Sequence, residues 1–264
     1  MQLIFLIAAL AASLGAQPQR AGRAPSPEQQ RKAIDNFRKS ALNYSAGLPN
    51  FFCTETVRRY RNSTSSPEWS PMDTLTVQLS YFEHREEYKL LLVDNQKTKL
   101  RYEDAGGSVS QGEFGSMLQE VFLPAAEAVL SWDSRTTLRN RRVQVYRYSV
   151  SAEKAHYQVS YNYNDRHYSA FAGRHGLVYV GGNGEILRIT SEADNLPASF
   201  PIDKLSSTLD YDFTDIGGRQ FLVPHGAVVE MQAGILGSKN EIDFRDYRKF
   251  SAEAGINFDT QIKK

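Results

Sequence analysis

The sequence predicts a mainly β protein with a few helices (α+β), built from antiparallel hairpins. Three observations carry this. From Phe51 onward apolar residues recur with a period of two; the clearest case is Leu75, Val77, Leu79 and Tyr81 alternating with Thr74, Thr76, Gln78 and Ser80. Short, turn-rich connections separate these runs, which favours hairpins over long crossovers. Two stretches carry a wide helical stripe, one before the first strand and one in midchain.

Residues 1–16 hold no charged side chain and are almost continuously apolar from Leu3 to Leu14, with small residues at Ser13, Gly15 and Ala16. This pattern predicts a signal peptide, with a buried N-terminal strand or helix as the alternative. The run is shorter than the about 20 apolar residues of a spanning helix. Residues 17–26 read as a flexible polar linker carrying Pro18 and Pro25. A single β domain is expected over residues 27–264. Its first helix has Ser26 as N-cap, Pro27 at the first position and Gln29 completing a capping box. Ile34, Phe37 and Ala41 form its apolar stripe, and Gly47 and Pro49 end it.

Strands are expected from residue 51 and over residues 74–81, 87–93 and 98–102, with Gly106-Gly107 breaking the pattern. A second helix is expected over residues 113–123. Phe114, Met117, Leu118, Val121 and Phe122 fall there at i, i+3, i+4, i+7 and i+8. Pro124 interrupts it, and residues 125–132 read as a further helix. Strands follow over residues 142–151, 155–162, 167–172, 177–180, 185–190, 205–216, 219–223, 228–232 and 241–250. Asn183-Gly184 and Gly217-Gly218 mark tight hairpin turns. The total is about ten or eleven strands.

Lys and Arg number 31 against 30 Asp and Glu, so the net charge is +1. That balance argues against nucleic acid as a partner. Beyond the leader no apolar run approaches spanning length, so a soluble mature form is expected, not a membrane-spanning one. Cys53 is the sole cysteine, which excludes an internal disulfide, and its strand-like surroundings predict a small buried side chain.

His84, His156, His167, His175 and His225 form no close metal motif, although His167 and His175 can meet Asp165 on adjacent strands. No Gly-x-Ser-x-Gly elbow occurs, no catalytic residue stands out and no cofactor is implied. A binding protein is therefore expected rather than an enzyme, with a carboxylate hydrolase as the weakest alternative. Glu83, Glu86, Glu87, Asp243 and Asp246 lie near Arg or Lys and read as members of surface ion pairs. Arg58, Arg59 and Arg61, with Arg135, Arg139, Arg141 and Arg142, read as solvated strand faces or as a surface for an anionic head group or acidic partner. The face formed by Phe114, Met117, Leu118, Val121 and Phe122 is the candidate ligand site. It is core if the sheet closes, and it lines a pocket for acyl chains if the sheet stays half open.

The order of leader, helix, meander, midchain helix and second meander resembles the LolA and LolB lipoprotein-carrier superfamily and the related N-terminal domain of RseB. The phrases Leu48-Pro49-Asn50-Phe51-Phe52-Cys53-Thr54-Glu55-Thr56, Leu209-Asp210-Tyr211-Asp212-Phe213 and Phe221-Leu222-Val223-Pro224 look like those of exported bacterial proteins. The resemblance implies a half-open antiparallel β-barrel covered by helices. It also implies a periplasmic or secreted location, and a hydrophobic ligand such as a lipid or the acyl chains of a lipoprotein. The alternative is a cell-envelope protein-interaction module without a small-molecule ligand.

Overall fold

The computed structural model describes residues 24–108, 114–155, 158–163 and 166–250, without the side chains of residues 160–163 and 166–167. The expected signal peptide and residues 17–23 of the linker lie outside the described residues.

Helix α1 spans Pro27–Leu42, and its capping box forms as the sequence dictates. The Gln29 amide N–H donates to Ser26 Oγ at 3.3 Å, and the Gln29 side chain accepts from the Ser26 amide at 2.9 Å. Strands β1 (Phe51–Ser63), β2 (Ser66–Phe82), β3 (Arg85–Val93) and β4 (Gln96–Lys97) form the first meander. Helix α2 (Ser116–Phe122) follows, then β5 (Val129–Leu138) and β6 (Arg141–Val150). Strands β7 (Gln158–Tyr163) and β8 (Arg166–Phe171) pair only with each other. The last five are β9 (Gly173–Val180), β10 (Ile186–Asp194), β11 (Lys204–Asp215), β12 (Gln220–Ala233) and β13 (Leu236–Lys249).

Eleven strands make one sheet in the order β4-β3-β2-β1-β13-β12-β11-β10-β9-β6-β5, with antiparallel pairing throughout. Its first and last strands are not joined to each other, so the sheet does not close. It is nevertheless strongly curled. Strand β2 lies four places from β11, about 19 Å away in a flat sheet. Yet one turn of chain after α1 touches both: the Tyr44 ring packs on Tyr211 of β11 at 5.5 Å, and the Ser45 carbonyl accepts from Tyr81 of β2 at 3.1 Å. Both helices lie on the concave side, where one apolar cluster joins Phe37 and Phe122 to Leu75, Val77, Val178, Ile189 and Leu209.

Four expectations are corrected. Residues 98–102 are not a strand; the fourth strand is the two-residue β4, and Tyr102 begins a short 3-10 turn. Residues 125–132 are not a helix. A 3-10 turn at Pro124–Ala126 leads directly into β5, because Glu127 takes a left-handed conformation that stops helical propagation. The runs 219–223 and 228–232 belong to the single strand β12. Pro224 is accommodated at a bulge, where the register with β11 shifts between Asp210 and Tyr211. The Asn183-Gly184 turn is a wider loop closed by Gly181 N–H to Glu185 O at 2.9 Å, and only Gly184 has positive φ. Gly217 and Gly218 both have positive φ, as a two-residue hairpin requires.

Candidate functional site

The midchain apolar face sits inside the concavity. Phe114, Leu118, Val121 and Phe122 are all within 2% of complete burial, and Met117 is partly buried against the same cluster. Phe114 meets Phe51 at 5.2 Å, Tyr81 at 6.1 Å and Phe244 at 5.6 Å, so it spans β2, β1 and β13. Phe122 packs edge-on against Phe37 of α1 at 5.8 Å, and Phe37 in turn contacts Tyr146 of β6 at 5.0 Å. The helical stripe therefore fills the space between the two halves of the curled sheet.

A few polar contacts hold α2 in place. The helix is only seven residues long and has no side-chain cap. Glu86 of β3 accepts from the Phe114 amide at 3.2 Å and from the Tyr88 hydroxyl. Gln119 donates to Ser45 Oγ at 3.1 Å. Glu120 accepts from the buried Arg174 of β9 at 2.9 Å. The segment thus hangs between Gly115 at φ 137° and Pro124, tied on one side to β3 and on the other to β9.

A cleft of about 180 Å³ opens between α1, α2 and the strands that follow. Ala41, Tyr44, Leu118, Ile186, Phe213 and Leu222 give it apolar walls, while Ser40, Asn183 and Glu185 supply its polar lining. The β9–β10 loop positions this corner: Asn36 of α1 donates to the Asn183 carbonyl at 3.3 Å. A Cβ at Gly184 would come within 2.3 Å of the Asn36 amide, so glycine is required there for close approach as well as for its φ of +85°. The volume is below the roughly 300–1,000 Å³ of sites for drug-sized ligands. A long chain would need space that α2 now occupies.

Towards one rim the concave side is polar, which the sequence reading missed. Glu55 is wholly buried and Arg59 nearly so. Arg59 makes a two-pronged pair with Asp73, 2.6 Å at each contact, and donates to the carbonyls of Ala105 and Gly106. Tyr102 donates to Glu55, and Asn240 donates to the Ser108 carbonyl at 3.0 Å. The segment 102–108 is thereby clamped over this rim. The signal was present in the alternation Phe51, Cys53, Glu55, Val57, Arg59, which places all five on one face. Reading Arg59 as solvated is thus corrected, whereas Cys53 is buried as expected.

On the convex side Asp243 forms an expected cross-strand ion pair, with Arg58 at 2.7 Å, whereas Glu86 binds the Phe114 amide and Tyr88 hydroxyl instead of a surface cation partner. Arg188 and Arg139 also converge on Asp210, at 2.7 and 2.6 Å. Lys239 and Tyr60 bond to Glu241 and hold its carboxyl below the ordinary value. His175 pairs with Asp194 at 2.9 Å; the side chains of Asp165 and His167 lie outside those described. Among the described residues no group of three or more His, Cys, Asp or Glu could hold a metal ion, and no helix is long and apolar enough to cross a membrane. Burial raises the Tyr44 and Tyr247 hydroxyls well above the usual phenol value.

No family model matches the sequence, and no curated protein sequence matches it. Among solved structures, the chain is similar to a LolA superfamily protein from Nitrosomonas europaea, with 12% identity, a TM-score of 0.41 and coverage of 83% of this chain and 94% of that one. It is also similar to a DUF1329 family protein from Desulfovibrio piger, with 10% identity, a TM-score of 0.40 and the same coverages. A third similarity is to a domain assigned to outer membrane lipoprotein sorting, from Vibrio parahaemolyticus: 8% identity, a TM-score of 0.37, and 84% and 94% coverage.

Proposed function

We propose that this is an exported, non-catalytic protein, periplasmic or secreted, that binds a hydrophobic ligand such as a lipid or the acyl chains of a lipoprotein. One observation carries the proposal: an unclosed, curled sheet has its concavity filled by a helix of only seven residues that has no side-chain cap. The ligand enters at the cleft beside Leu118 and takes the place of the apolar face of α2. Phe114, Met117, Leu118, Val121 and Phe122 then form the wall of an enlarged hollow. The net apolar burial changes little in such an exchange, because chain–protein contacts replace helix–protein contacts. Export follows from the leader-like residues 1–16.

The test is a titration of the purified protein with N-phenyl-1-naphthylamine, joined to mass spectrometry of lipid extracted from the protein as isolated. Saturable fluorescence enhancement and a co-purifying lipid are expected. Met117→Lys places a charge on the partly buried edge of the face and should weaken the probe by at least about tenfold, with near-native circular dichroism. Neither lipid nor saturable enhancement would overturn the proposal.

The edge strand β5 supports a second reading, a module that holds a partner in the cell envelope. Its ten residues contain no proline, and its outer edge is unpaired among the described residues. A polypeptide co-purifying in place of lipid would favour it.

A further inference from the structure

We infer, resting on the hydrophobic-ligand reading and deepening it, that the ligand carries a neutral carbonyl oxygen, as an ester or amide does, and that the Tyr44 hydroxyl donates a hydrogen bond to it. Tyr44 lies just beyond α1 and lines the cleft together with Leu118, Ile186 and Phe213. Its ring stands edge-on to Tyr211 at 5.5 Å. Its hydroxyl oxygen is sealed from solvent and has no hydrogen-bond partner among the described residues. Three other tyrosines of the same core donate to backbone carbonyls: Tyr81 to Ser45 at 3.1 Å, Tyr148 to Thr190 at 2.9 Å, and Tyr247 to Pro224.

A buried hydroxyl without a partner is uncommon and destabilises the fold that contains it. Phenylalanine would supply the same ring contact without that cost. A group entering the ligand space proposed above can supply the missing acceptor. The charge of the surroundings selects the acceptor. Glu185 lines the cleft, Glu86 is close enough to act electrostatically on the hydroxyl, and among the described residues no Lys or Arg lines the cleft, Arg141 standing over the Phe213 ring without itself lining it. These carboxylates disfavour the carboxylate of a free fatty acid. An ester or amide is neutral, is a good acceptor, and joins directly to an apolar chain suited to Ala41, Leu118, Ile186, Phe213 and Leu222.

The experiment compares the wild-type chain with Tyr44→Phe, using displacement of N-phenyl-1-naphthylamine by three ligands of equal chain length: a saturated acyl methyl ester, the free acid and the n-alkane. Wild type is expected to prefer the ester to both others. Tyr44→Phe should lower ester affinity about five- to tenfold, the size of one lost hydrogen bond. It should leave alkane affinity within about twofold and should not lower the melting temperature. An equal effect on ester and alkane, no effect on either, a lowered melting temperature, or a wild-type preference for the free acid would overturn the inference. If the wild type binds the alkane while the ester result fails, only the carbonyl assignment falls. If it binds none of the ligands nor the probe, the hydrophobic-ligand reading falls with it.

Discussion

Arg59 projects from β1 into the concave side of the sheet with only 2% of its side chain exposed, and Asp73 opposite it is 16% exposed. Its planar fork matches the carboxylate of Asp73, and the same guanidinium reaches the carbonyls of Ala105 and Gly106. Arg59→Ala would leave a largely buried carboxylate and two backbone carbonyls without this donor. A loss of about 3–5 kcal/mol in chemical denaturation is expected. Arg59→Lys should recover only part of it, because a single ammonium cannot reproduce the fork. Hydrogen exchange at residues 105–107 should rise in both variants, since the guanidinium holds the Ala105 and Gly106 carbonyls while Asn240 still holds Ser108. A loss below about 1 kcal/mol for the alanine variant would contradict the burial assigned to this pair.

At the scale of the element, α2 is the part whose behaviour tests the proposed ligand binding. Seven residues are too few to hold a helix by local propensity. It persists because its apolar face is buried and because Glu120 binds Arg174. Glu120→Gln keeps the shape and removes the charge, leaving Arg174 deeply buried beside a neutral amide. Stability should fall by about 1.5–3 kcal/mol, the range for a hydrogen bond to a charged group. Stopped-flow mixing with N-phenyl-1-naphthylamine should show faster entry than in wild type, since the cover opens more often. Unchanged entry at reduced stability would mean that α2 is a fixed part of the core and does not move for a ligand.

Across the whole molecule, folding buries phenol hydroxyls that ionise readily once exposed. Tyr44 and Tyr247 both have their pKa raised by burial well above the ordinary value of 10.0. Below that value both tyrosines are protonated in either state, and pH has no effect through them. Above it the unfolded chain loses these protons while the folded chain keeps them, so the unfolded state binds fewer. Stability must then fall, by about 1.4 kcal/mol per pH unit for each tyrosine, until the folded pKa is passed. Thermal melts between about pH 9 and 12 should show this decline. Tyr44→Phe should remove about half of the part due to this pair, and the share of tyrosinate absorbance due to the two buried tyrosines should appear together with unfolding. A melting temperature that stays flat over this range would contradict the burial of these hydroxyls.

Elements whose causes are local were legible in the chain. The Ser26–Gln29 box starts α1, paired positive-φ glycines turn the β11–β12 hairpin, and the helical stripe from Phe114 to Phe122 identifies the buried face of α2. Long-range packing places Pro224 inside one long strand and makes residues 129–138 the edge strand β5. The same packing turns Glu55 and Arg59 inward and seals in the Tyr44 hydroxyl. Capping, turn geometry and periodicity act over a few neighbouring residues and leave their mark on the chain. A bulge that accepts proline, a carboxylate that neutralises a buried arginine, or a hydroxyl left without a partner depends on groups brought together by folding.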